Sequence, residues 1–143
     1  MISQSICTSF KQGLLQAKFD FGSTTTQTFK IALFTSAANL DQNTTQYTTA
    51  NESSGAGYTA GGQALSITVH PTVSGTTAFI SFGTVTWTAT TLTARGALIY
   101  KADGITNPAI AVVDFGEDKQ TNSGNFVIDF PLADAAYAIV KLA

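Results

Sequence analysis

From residue 28 onward the chain is a succession of short apolar runs broken by glycine, asparagine and proline. No segment between them has the length or period of a crossover helix. Neighbouring parallel strands need such crossovers, so the pattern excludes an α/β fold and calls for antiparallel sheets. Thr28–Thr35 (TFKIALFT) places Phe29, Ile31 and Leu33 on one face and Lys30, Ala32 and Phe34 on the other. Leu65, Ile67 and Val69 alternate with Ser66, Thr68 and His70 up to Pro71, which is expected to stop the run. Ala78, Ile80 and Phe82 follow, then Val85 and Trp87 beyond Gly83, a position suited to a bulge or bend. Leu92–Tyr100 carries Leu92, Ala94, Leu98 and Tyr100 on one parity, while Ile110–Phe115 is apolar on both, as a central strand would be. Phe126, Ile128 and Phe130 alternate with Val127 and Asp129, and Tyr137–Leu142 is predicted to pin the last residues into a sheet.

One sheet would leave aromatic faces wet, and the chain has ten phenylalanines to bury. The expected fold is therefore mainly β, an antiparallel β-sandwich, jelly-roll-like or barrel-like, with Trp87 in its core and a short N-terminal helix. Residues 1–22 form a helical arm or cap. Residues 23–143 form a single β-sandwich domain with a long loop at about 37–62.

The helix is read from Ile6, Phe10 and Leu14 at i, i+4 and i+8, widened by Cys7, Leu15 and Phe19. Ser3 or Ser5 could cap its start and Gly22 its end, while Gly13 costs about 1 kcal/mol of helix propensity relative to alanine. So short a helix must dock its stripe on something. It either covers an open side of its own sheet or packs on a neighbouring subunit.

The segment 37–62 (AANLDQNTTQYTTANESSGAGYTAGG) resists the strand reading. Tyr47–Thr49 is a candidate edge strand, and Gly55, Gly57, Tyr58, Gly61 and Gly62 read as a tight reversal toward Leu65. A connection of about 25 residues without regular structure is uncommon in a compact domain, so the segment either folds over its own sandwich or makes contacts outside it.

Charge narrows the function classes. Seven Lys plus Arg face nine Asp plus Glu, only 11% of residues, and polarity comes instead from 23 threonines. Between Gln42 and Tyr100 the only formal charges are Glu52 and Arg95. A net charge of -2 with scattered basic residues gives no phosphate-tracking patch, which argues against nucleic-acid binding. There is no run of 18 apolar residues for a membrane span, and the opening residues lack a basic region followed by an apolar core. A single cysteine and a single histidine leave no disulfide framework and no cysteine- or histidine-based metal site. The expected partners thus include neither nucleic acid nor membrane.

Candidates for chemistry are few. His70 precedes Pro71 in a strand or turn, and Cys7 lies on the apolar helix stripe, where packing is its role. Asp114, Glu117 and Asp118 form one acidic cluster, whose spacing matches no calcium loop and which reads as a solvated turn between strands. GAGYTAGG lacks the lysine and following helix of a phosphate loop. Tyr47, Tyr58, Tyr100 and Tyr137 could stack on a sugar ring, though no local motif brings them together. Arg95 is placed to pair with an acidic side chain across an interface. No catalytic, metal or cofactor residue is assigned, and the expectation is a non-enzyme without a cofactor.

Five segments, FKIALFTSAANLD, NESSGAGYTAGG, VTWTATTLTARGALIY, AVVDFGEDKQTNSGNFVIDFP and the closing AIVKLA, together with the opening SFKQGLLQAKFDF, carry a resemblance. Over nearly its whole length the chain resembles a family of small structural proteins of tailed bacteriophages and prophages. The resemblance implies a virion structural protein, with a capsid decoration (cement) protein favoured. The alternatives are a tail or head-to-tail connector component and a glycan- or receptor-binding β-sandwich module. It implies the major capsid protein or other virion proteins as partners, a homotrimer or dimer, and a place on the capsid surface. The expected interface residues are Phe10, Leu14 and Phe19 in the helix segment, Tyr47 and Tyr58 in the long loop, and Arg95.

Overall fold

Phe29–Phe34 (β2), apolar on both parities, has every residue but Lys30 buried. It is an inner strand of the largest sheet in a computed structural model describing residues 1–143. The other elements are Ser5–Ile6 (β1), Thr8–Leu15 (α1), Gln63–Leu65 (β3), Ile67–Ser74 (β4), Thr77–Phe82 (β5), Val85–Thr90 (β6), Thr93–Lys101 (β7), Ala109–Gln120 (β8), Gly124–Ile128 (β9) and Val140–Leu142 (β10). They form a five-stranded sheet in the order β1-β8-β7-β2-β3, a three-stranded sheet β10-β5-β4 and a pair β6-β9, with every pairing antiparallel. The protein is mainly β with one short N-terminal helix. None of the sheets closes into a barrel, so the barrel-like form of the expectation is corrected. The largest sheet ends in strands of two and three residues, too short to close it.

One apolar core draws on all three sheets. Ile31, Leu33 and Leu98 come from the largest, Ile80 and Phe82 from the second, and Trp87 and Phe126 from the pair. Each such side chain, fully buried, contributes about 1.5–3 kcal/mol relative to exposure. Trp87 is in this core as expected, 1% exposed, with its indole edge-on to Phe126 at 6.0 Å.

Residues 1–21 lie against their own domain. Ser5 and Ile6 pair with Val112 and Ala111 of β8, and the terminal amine of Met1 donates to the Ala38 carbonyl at 3.0 Å. Phe10 packs edge-on against Phe19 (4.8 Å) and Phe21 (6.0 Å), and Phe21 stacks on Phe29 (4.7 Å). Gly13 is what lets Phe19 approach, because a Cβ there would stand 2.5 Å from the Phe19 ring. The caps differ from expectation. Cys7 occupies the N-cap without a side-chain bond. At the other end Ala17, at φ +57°, takes the left-handed position assigned to Gly22, with Ala17 N–H donating to Leu14 and Lys18 N–H to Gly13. That is a Schellman motif built without glycine.

Several boundaries are corrected. Pro71 does not stop its strand: β4 runs through it to Ser74, because it is an edge strand and shifts register between Val69 and Thr72, where a missing N–H costs no ladder bond. The last strand begins only at Val140, leaving Tyr137 exposed. Tyr47–Thr49 is not a strand, and only an isolated bridge at Gln46–Pro108 marks it. The acidic cluster is not a turn between strands but a bulged stretch of β8, with Gly116 at φ +81°. No helix is long and apolar enough to cross a membrane.

Candidate interaction surface

The long connection between β2 and β3 is an ordered strap held by one carboxylate. Glu52 accepts hydrogen bonds from the Tyr47 hydroxyl (2.6 Å), the Tyr58 hydroxyl (2.6 Å) and the Gly61 N–H (2.7 Å). Tyr58 also accepts from the Leu33 N–H at 2.9 Å, and the Tyr100 hydroxyl donates to the Gly61 carbonyl at 2.6 Å. Tyr47 stacks on Tyr100 with ring centroids 4.6 Å apart and planes 10° from parallel. Burial raises all three phenols. For Tyr47 and Tyr58 the bond to Glu52 adds to this, and for Tyr100, at about 12, the Glu52 charge does.

The glycines let the strap lie against strand edges. A Cβ at Gly62, which has φ +76°, would stand 1.8 Å from the Ile31 carbonyl oxygen. Beyond the end of β3, the strap continues along β2: the Ser53 N–H donates to Leu33, and the Thr35 N–H to Asn51. It also covers the end of β6, where the Thr91 N–H donates to Ala56. The strap thus folds over its own domain.

These contacts place the expected interface residues. Phe10 and Phe19 are buried in the core of their own domain, and Leu14 is half-buried against it. Tyr47 and Tyr58 are half-buried and engaged by Glu52. Arg95 pairs within the chain, its Nε 3.2 Å from the Asp114 carboxylate. Three of the four tyrosines do converge, but one face of Tyr47 lies on Tyr100 and the hydroxyls serve the strap, so they form no open stacking platform for a sugar. No sequence motif singles out Glu52 as the hub of these contacts. Its signal was its isolation, as the one acidic residue of a long charge-free region with tyrosines five residues before and six after it.

The remaining chemistry-bearing groups are also committed. Burial, reinforced by the Asp41 charge, pushes the Cys7 thiol up to about 11. His70 Nδ1 lies 3.0 Å from the Phe21 carbonyl and ties β4 to the segment after the helix. The acidic trio does not converge: Asp114 is held by Arg95, and Glu117 bonds Lys119 at 2.6 Å.

What stands exposed is the tip of the β4–β5 hairpin. Every residue from His70 through Thr76 is exposed, Val73 to 67%, around a two-residue turn at Gly75 and Thr76. The run Ser53–Ala94 that contains it has no Asp, Glu, Lys or Arg. Apolar side chains are exposed elsewhere too, with Leu15 at the helix end 92% exposed and Leu142 in β10 59%. Comparison with protein-family models, curated proteins and solved structures found no match to this chain.

Proposed function

We propose that this chain is a non-enzymatic structural protein of a tailed-bacteriophage virion. In this reading it is a capsid decoration (cement) protein that bridges major capsid protein subunits as a homotrimer or dimer on the capsid surface. The observation that carries the reading is the exposed β4–β5 hairpin within a charge-free run. A surface of threonine, serine and small apolar groups can be covered without desolvating ions, whose removal from water costs several kcal/mol each. The segment resemblance supports the virion context. In this reading the unit is a β-sandwich, with the two smaller sheets layered on the five-stranded sheet across their common core. Its mechanism is mechanical: many copies each add modest contact energy that opposes the outward pressure of packed genome.

Rebinding to expanded shells stripped of the protein tests the proposal. Saturable recovery near one copy per major capsid subunit, lost on placing a lysine at Val73, is the expected result. Recovery only at the neck or tail would move the protein to the connector class. Saturable binding to host glycans without shell binding would move it to the receptor-binding class.

A further inference from the structure

Three stretches of the chain lie on the sheets while contributing little to them, and they are held very differently. The N-terminal stretch is anchored by Ile2, Cys7 and Phe10, none more than 5% exposed. The strap is tied by Glu52 and by backbone bonds to β2 and β6. The third stretch runs from Pro131 to Ala143. No hydrogen bond of residues 131–137 reaches beyond 131–141. The Asp134 carboxylate accepts from the Ala136 and Tyr137 N–H groups, the Ala138 N–H donates to the Asp134 carbonyl, and Lys141 Nζ donates to the Ala136 carbonyl.

What holds this segment to the rest of the chain is β10, three residues paired with Ala78–Ile80 of β5, and the burial of Ala138 and Val140. Even there the fit is loose. A cleft of about 200 Å³ lies beside Tyr137, Ala138 and Ile139, walled by Ile6 and Val112. Another of about 330 Å³ lies beside Val140 and Leu142, walled by Leu14, Phe19 and Phe79. Three large apolar side chains of the segment face solvent, with Leu132 70% exposed, Tyr137 62% and Leu142 59%. Unfilled space forfeits dispersion contacts, and a segment with so few buried groups opens at a lower free energy than the domain that carries it.

We propose that the C-terminal segment is an exchangeable latch: β10 of one copy leaves its own β5 and pairs with β5 of a second copy, which returns its own β10 in a reciprocal dimer. The groove itself specifies the partner, because the strand that fits Ala78–Ile80 is the Val140–Leu142 strand seated there. Residues 129–139 separate β9 from β10 and reach about 35 Å when extended. Pro131 biases Phe130 toward the extended backbone that such a crossing requires. The contacts of β10 on β5 are the same in the closed and exchanged forms, so the difference lies in this linker. Leu132 and Tyr137, wet in the closed chain, meet the second copy's linker where the two cross, and their apolar area is covered. The N-terminal stretch cannot serve in the same way, since its withdrawal would expose Phe10 and Cys7. The inference does not rest on the virion reading, because it concerns how two copies join, whatever else they bind.

The register partners Ala78 and Leu142 supply the test. Full-length Ala78→Cys carrying a mass tag and full-length Leu142→Cys are mixed under reducing conditions and then oxidised, with the buried Cys7 left in place. Docking within one chain competes at an effective concentration of order mM for a short flexible linker, so the mixture is compared at about 10 µM and about 1 mM. The expected product at the higher concentration is a disulfide joining the two different chains, about tenfold or more in excess of either homodimer and falling away at the lower one. The double variant with both cysteines should close within one chain at the lower concentration and between chains at the higher. A double variant closed wholly within one chain at both concentrations would overturn the proposal. So would a mixed disulfide no more abundant than the homodimers.

Discussion

At the scale of single residues, Glu52 decides whether the strap stays on the sheet. Its three hydrogen bonds go to a charged acceptor, a class worth about 1.5–3 kcal/mol each when well shielded and less at a half-exposed site. Glu52→Ala leaves two phenols and the Gly61 N–H without that partner, and the expected loss is about 2–4 kcal/mol in urea-unfolding stability. Glu52→Gln should lose about half of that, because only its carbonyl oxygen can accept. A loss below about 0.5 kcal/mol for the alanine variant would remove the latch from the account. The phenols add a pH dependence. Their native pKa values lie above the ordinary value of 10.0, Tyr100 reaching about 12, so the native state keeps protons that the unfolded chain has released. Stability is full below about pH 10 and falls as pH rises through it. Thermal melts between neutral pH and strong alkali should show the midpoint dropping above that value, together with phenolate absorbance. A midpoint flat through that range would contradict the network.

At the scale of elements, two backbone positions carry opposite predictions. Ala17 sits in the left-handed region at the C-terminal end of α1, a conformation that costs an L-residue about 1 kcal/mol and glycine almost nothing. Ala17→Gly should stabilise the protein by up to about 1 kcal/mol, seen as a higher unfolding midpoint with an unchanged urea slope. Gly62→Ala should do the reverse and cost about 3 kcal/mol or more, since its Cβ would meet the Ile31 carbonyl at a strained φ. These positions also mark what the sequence could and could not reveal. β6 was legible because one buried face imposes its apolar parity, and β2, β5 and the first half of β8 because most of their residues are apolar and at least half-buried. Pro71 misled because proline forbids only a donor, and an edge strand has donors to spare. The helix end misled because Ala17 does what a glycine usually does. The strap could not be read, because its partners are the Leu33 and Ile31 backbone and the Tyr100 side chain, far away in sequence. Of the expected interface residues, Phe10 packs on Phe19 and Tyr47 on Tyr100, contacts between residues that lie far apart in period or sequence.

At the scale of the whole molecule, the scarcity of charge has become more specific. Of the two formal charges between Gln42 and Tyr100, Glu52 is spent inside the strap and Arg95 on Asp114, so this half of the chain presents almost no uncompensated ion to a partner. Contacts made through it draw on apolar burial and hydroxyl hydrogen bonds, neither of which is screened by salt. Surface ion pairs, by contrast, weaken as the screening length falls from about 10 Å at 0.1 M to about 3 Å at 1 M. On the proposal that this is a capsid decoration protein whose hairpin face meets the shell, affinity for stripped shells should change less than about threefold between low salt and 1 M sodium chloride, with neither partner's fold affected. Sulfate, which strengthens apolar burial, should tighten binding over the same range. A loss of tenfold or more in sodium chloride would mean that the attachment is made by the charged edge around Glu117, Asp118 and Lys119. The docking surface would then belong to the β7–β8 end of the molecule and not to the hairpin.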